Sequence, residues 1–181
     1  MNKIRVIPDS SFYICFIDNI KDHKSIIEII KNDKFKFIIG VVVKSEIAKS
    51  PNYNRIEAVI EPDVELFSEI NYGEILRPLF SKEELKKGEN EVITISFILF
   101  DLDYDIITII DDEEPRQFFI NNLTECADKL TGTIGFIGDC VCIYEVFKKD
   151  KGLSILVAIK NSKFRITKVI INEVMNKIRD C

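Results

Sequence analysis

A β-branched run that ends in two acids constrains this chain more than any other stretch. Ile106 to Ile110 (IITII) runs directly into Asp111 and Asp112. Such a run, with no polar alternation, suits a strand covered on both faces, as in a parallel sheet. Pro115 and Arg116 open the helix that follows, and a Thr-Gly-Thr-x-Gly turn at 131–135 comes soon after it. Acids at the carboxyl end of a buried strand stand where an open α/β sheet gathers its ligands.

The rest of the chain reads as further units of the same kind. Lys3 to Pro8 is a first strand, and Asp9, Ser10 and Ser11 are good caps for a helix begun by Phe12. His23 to Lys31 carries Ile26, Ile27, Ile29 and Ile30 on one broad helical face. Phe35 to Ile39 is a second strand, broken by Gly40, and VVVKSEIAK turns into a helix bearing Glu46. Residues 50–55 are loop, Ile56 to Ile60 a short helix or strand, Asp63 to Phe67 extended, and 68–85 short helical pieces. Val92 to Phe100 is nearly all apolar. Its lead-in, Gly88-Glu89-Asn90-Glu91, puts acids where a helix dipole favours them, so it reads as a buried helix. Phe136 to Phe147 is helical, Gly152 interrupts, and Leu153 to Lys160 and Ile166 to Ile178 are two closing helices. Strands alternating with helices predict an α/β fold with a parallel sheet.

Composition narrows the chemistry. At 181 residues the chain is one domain, 1–181, with a basic helical extension over 148–181. That extension has nine Lys/Arg against three Asp/Glu; with an overall charge of −5, the remainder carries −11. A basic end beside an acidic body suits a phosphate-bearing ligand approaching a metal-loaded centre. No apolar run reaches the ~20 residues of a membrane span, and the first residues lack a secretory signal pattern, so the expected compartment is the cytoplasm, with no membrane partner. The five cysteines show no metal-ligand spacing, and Cys140 and Cys142, two apart on a helix, do not face each other; they are expected as reduced, incidental thiols. His23 is the only histidine, which argues against a Ser-His-Asp, Cys-His or multi-histidine site. An enzyme built on this chain must work mainly through carboxylates.

Four acids occupy comparable places. Asp9 ends the first strand, Glu46 lies on the helix after the second, Glu89 or Glu91 begins the buried helix, and Asp111 ends the central strand. Parallel strands send their carboxyl ends to one edge, so these groups are candidates for a shared site. Gathered carboxylates repel unless a cation neutralises them, and hard oxygen donors select Mg²⁺ or Mn²⁺. An ion so held activates water and stabilises charge on a phosphate, chemistry that needs no histidine. Asp112 reads as a cap before Pro115, and Ser10 and Ser11 either cap or line the site. Asp101-Leu102-Asp103 has the spacing of a phosphatase nucleophile pair, but it follows a helical stretch and lacks the small residues such a pair needs.

At these residues the chain resembles the PIN-domain ribonucleases, in particular the VapC toxins of toxin–antitoxin pairs. The ordered set VIPDSS, VVVKSEI, GENEVI, IITIIDDEEPR, TGTIGFI and FRIT, the last at Phe164 to Thr167, carries the likeness over nearly the whole length. The resemblance implies a three-layer α/β/α sandwich with a central parallel sheet and an acidic Mg²⁺/Mn²⁺ site. It implies Asp9, Glu46, Glu89 and Asp111 as metal ligands, with Glu91 as the alternative to Glu89; the two lie about 200° apart on a helix. Thr94 and Ser96 stand where the family tends to have alanines, and Arg116 matches a recurrent arginine expected to form a structural ion pair. The implied function is a metal-dependent endoribonuclease acting on RNA, with an antitoxin partner and a homodimeric state. The alternative is a non-catalytic PIN-like module that binds a protein or RNA.

Overall fold

The computed structural model describes residues 3–76, 78 and 87–181. In chain order these form β1 (Ile4–Pro8), α1 (Ser10–Ile14), α2 (His23–Ile30), β2 (Phe35–Ile39), α3 (Val41–Ile47), α4 (Glu57–Asp63), β3 (Val64–Leu66), α5 (Gly88–Asp101), β4 (Ile106–Ile109), α6 (Glu113–Asn122), β5 (Leu130–Thr131), α7 (Thr133–Cys142), α8 (Lys149–Lys160) and α9 (Lys168–Asp180). A widened turn, Cys15–Asn19, prolongs α1. The strands make one parallel sheet in the order β3-β2-β1-β4-β5.

Strand register accounts for the three layers. Val6 pairs with Phe37 and with Ile107, so these side chains share a face; Ile7 pairs with Thr108 on the other. On the first face Phe35 and Phe37 meet Phe136 of α7 at 5.5 and 6.5 Å between ring centroids, and Phe12 of α1 lies 5.9 Å from both Phe37 and Phe136. On the second face the Thr108 hydroxyl donates to Ser96 of α5 at 2.8 Å, satisfying two buried hydroxyls that water cannot reach. Helices therefore cover both faces, giving an α/β/α sandwich. The continuous apolar character of IITII follows from this double burial.

Several boundaries depart from expectation. The helix expected over Phe136 to Phe147 starts earlier, at Thr133, and stops at Cys142; a turn with Glu145 at φ 53° follows. Gly152 does not interrupt but lies inside α8, where a Cβ would overlap Val141 of α7 and force the two helices apart. Ile56 to Ile60 resolves as the start of α4, and β5 carries too few residues to show a pattern. Of the pieces expected over 68–85, Tyr72–Leu76 is a tight 3₁₀ turn; the remainder falls largely outside the described residues. Asp101 closes α5, as the helical reading of that stretch requires. Among the described residues no helix is long and apolar enough to cross a membrane.

The cysteines give a correction. Cys142 and Cys181 form a disulfide with Cα atoms 5.7 Å apart, while Cys15, Cys126 and Cys140 are free and buried. The pairing depends on α7 and α9 running side by side in the same direction. Gly138 lies against Val174, Asp139 pairs with Lys177 at 2.8 Å, and Cys142 then meets Cys181. Nothing local to Cys142 signals this, because its partner lies 39 positions away. Closing a loop of that size is worth about 4 kcal/mol on the chain-entropy scale. Reductant, or Cys181→Ser, should lower the melting temperature by about 10 °C; an unchanged melting curve in dithiothreitol would mean the bridge does not form in solution.

Candidate functional site

Helix amino termini leave backbone N–H groups without partners inside the helix. At the edge where β1, β2 and β4 end, three such helices start after residues that offer no capping side chain: Gly40 before α3, Lys87 before α5 and Gly132 before α7. Acids from other elements fill each gap. Glu91 of α5 accepts from the N–H groups of Val42 and Val43 at 2.9 and 3.2 Å. Glu46 of α3 accepts from the Gly88 N–H at 3.1 Å, so α3 and α5 cap each other. Asp111 accepts from Thr133 twice, from N–H at 2.8 Å and from the hydroxyl at 2.5 Å. Asp9 caps its own helix through Phe12 N–H at 3.2 Å and also takes the Asp111 N–H at 3.2 Å, tying the ends of β1 and β4 together.

This geometry separates the two candidates on α5. Glu91 is fully buried, and its carboxyl fills the space that Gly40 leaves empty; a Cβ at position 40 would overlap it. Glu91 is thus committed to holding α3, and its Oε1 has no partner among the described residues. Glu89, two residues earlier, faces a cleft of about 720 Å³ together with Glu46, Ser10, Lys49, Lys87 and Asp112. Of the five proposed acids, the structure thus brings Asp9, Glu46, Glu89 and Asp111 to one edge and turns Glu91 inward. Asp112 precedes α6 without a side-chain cap and instead borders the cleft beside Glu89, whose carboxyl it helps to raise. Arg116 takes its structural role through the Ile110 carbonyl, to which Nη1 donates at 2.7 Å, rather than through the expected ion pair.

The acids disturb one another's protonation. Burial pushes the Asp9 carboxyl well above its ordinary value, and the charges of Asp111 and Glu89 push the same way against two N–H bonds. Burial also raises Asp111, with Asp112 adding to it, while the Thr133 bonds and the Arg116 charge pull it down. Glu89 is raised by burial first, then by Glu46 and Asp112. The carboxylates form a string in which Asp111 acts on Asp9, Glu89 on Asp9, and Glu46 and Asp112 on Glu89. Two smaller clefts adjoin it at Asp111. One of about 330 Å³ is bordered by Ser10, Ser11, Asp112, Lys163 and Arg165; the other, of about 490 Å³, by Arg116, Arg165 and Thr167.

These groups fit a hard divalent cation by donor chemistry, since all are oxygens and each carboxylate retains lone pairs beyond its N–H bonds. A cation would also offset the burial and the like charges that together raise Asp9, Glu89 and Asp111. They fit less well by spacing: among the described residues no three His, Cys, Asp or Glu side chains are close enough together to hold one ion. Thr133 was not singled out by the sequence reading, although its place at the start of a helix facing a strand-end aspartate is a usable signal. Lys49 and Lys87 were also missed; neither stands out among the chain's other lysines.

No protein-family model matches the chain, and no curated protein or solved structure matches it either.

Two outcomes follow from the caps and the repulsion. Glu91→Ala should destabilise the fold by about 2 kcal/mol, because the buried Val43 N–H and the part-buried Val42 N–H lose their acceptor, whereas Glu91→Gln should lose less; equal stability of the alanine variant in urea would contradict the assignment. Asp9, Glu89, Glu91 and Asp111 all titrate higher in the folded chain than in the unfolded one. The stability they contribute is therefore fully present below about pH 4, the ordinary carboxylate range, and is lost as pH rises through the raised values. Without divalent ions, urea unfolding should show stability declining across that window, and Glu89→Gln should make the decline shallower. A stability that climbs over the same interval would mean these acids are stabilised, not strained, by their neighbours.

Proposed function

We propose that this chain is a PIN-like, metal-dependent endoribonuclease that hydrolyses RNA phosphodiesters at the acidic edge of its sheet. The observation that carries the reading is the gathering of carboxyls from separate elements at one sheet edge: Asp9 takes the Asp111 N–H, Glu46 and Glu89 share the open cleft, and burial, with the Asp111 and Glu89 charges behind it, raises Asp9. Groups kept in such conflict cluster at functional sites, and structural networks that do the same are the competing explanation. Asp9, Glu46, Glu89 and Asp111 would hold Mg²⁺ or Mn²⁺. When bound, the metal supplies Lewis-acid stabilisation of phosphate charge and a more acidic water.

The chain's own residues have distinct parts in this reading. Asp9 fixes the distance between the β1 and β4 ends, so that Asp111 is presented from a rigid strand end. Thr133 holds both oxygens of Asp111 and sets the plane of its carboxyl. Glu46 and Glu89 line the open cleft that would take the substrate strand. A partner antitoxin that covers this cleft, and a homodimeric state, belong to the same proposal.

A non-catalytic module that binds a protein or RNA is the second reading, favoured by the absence of any three-ligand grouping among the described residues. The two part on metal and turnover. With Mn²⁺ or Mg²⁺ the purified protein should cut structured RNA, and Asp9→Asn should reduce cutting about 100-fold, the upper end of what loss of a supporting metal-site group costs. Glu91→Gln should still cut. Undiminished cutting by Asp9→Asn would expose a contaminant, and calorimetry without Mn²⁺ uptake, together with no cutting, would favour the binding module.

A further inference from the structure

We propose that Lys163 and Arg165, on the segment joining α8 to α9, are positioning residues that take the phosphates of a single-stranded RNA beside the acidic edge. The inference rests on the nuclease reading only for the kind of polyanion; the residues themselves stand out on charge and place.

Arg165 borders both clefts that meet at Asp111, and Lys163 borders the smaller one. Asp111, Asp112 and Glu113 border the same two clefts, yet neither cation forms an ion pair or a hydrogen bond with them or with any other described residue. Other lysines that lie beside an acid do pair with it: Lys31 with Asp63, Lys44 with Glu61 and Lys177 with Asp139. Two exposed cations left free beside carboxylates are poised for an anion that is not part of the chain.

The segment is also held in place. Ser162 Oγ donates to the Ile159 carbonyl at 2.8 Å and accepts from Phe164 N–H at 3.1 Å, while Ile166 N–H reaches the Phe164 carbonyl at 3.0 Å. Phe164 packs on the core, so Lys163 and Arg165, on either side of it in sequence, remain outward. Fixing the backbone beforehand lowers the ordering cost of binding. At the far end of the acidic string, Lys49 and Lys87 border the large cleft and form no ion pair among the described residues. A strand lying across the edge would thus meet cations at both ends and carboxylates between them.

The test uses the full chain with its disulfide intact and a short fluorescent single-stranded RNA, with chelator present so that nothing is cut. Lys163→Gln/Arg165→Gln should bind about 10-fold or more weakly near ~0.1 M salt, and the slope of log K against log salt should fall by about 1.4, the value for two phosphate contacts on a single strand. Arg165→Lys alone should keep the slope, and the double variant should melt with the wild type because both side chains are exposed and unpaired. In Mn²⁺, the double variant should raise KM for RNA with little change in kcat. An unaltered slope and KM, or no RNA binding by the wild type, overturns the proposal. Wild-type cutting with an unaltered slope and KM in the double variant sinks the phosphate contacts alone. A reduced slope in a chain that never cuts RNA sinks the nuclease reading and leaves the contacts standing.

Discussion

Open N–H groups at the starts of helices are the constraint on which the acidic edge depends. A parallel sheet sends strand ends and helix starts to the same side, so each βα junction brings unfilled donors and a partial positive charge. Here the junctions before α3, α5 and α7 have no side chain of their own to answer that need, and the acids that answer come from elsewhere in the chain. Glu46 and Glu91 exchange roles between α3 and α5; Asp111 serves α7; Asp9 serves both α1 and the end of β4. Carboxylates are thus drawn together by folding itself, before any ligand is considered.

The same arrangement has an energetic cost. Each charge-assisted contact contributes about 1.5–3 kcal/mol, but burial and proximity raise the protonation of the acids that make them. Asp9 lies within this balance, 1% exposed, with an N–H on each oxygen and Asp111 beside it. A group so placed can serve the fold and the chemistry at once. That is why the capping and metal-binding interpretations of Asp9 are compatible, and why counting its hydrogen bonds does not decide between them.

Strand and helix identity were largely legible because the deciding signals are local. The β-branched runs at Ile106 and Phe35, the Asp9 cap and the acidic lead into α5 each lie within a few residues of what they determine. The placement of Asp9 and Asp111 at one edge was legible too, since parallel strands send their carboxyl ends the same way. What escaped the sequence was pairwise and distant. The choice between Glu89 and Glu91 turned on the room left by Gly40, about fifty residues away. Gly152 looked like a breaker because its reason, close approach to Val141, is visible only between helices. Cys142 and Cys181 looked incidental for the same reason, as each is ordinary until α7 and α9 are set side by side.

The covalent tie at the end of α9 also governs how that helix can move. Its 13 residues make a rod of about 20 Å, stapled to α7 near Cys181 and free of any such bond at its other end, where Arg165 and Thr167 border the cleft at Asp111. Ile171, Met175 and Ile178 bury the same helix along its length, so the bridge adds a covalent tie to a rod that packing already holds. One wall of the cleft is thereby anchored through sulfur to α7, the helix whose first residue, Thr133, binds Asp111 on the opposite wall.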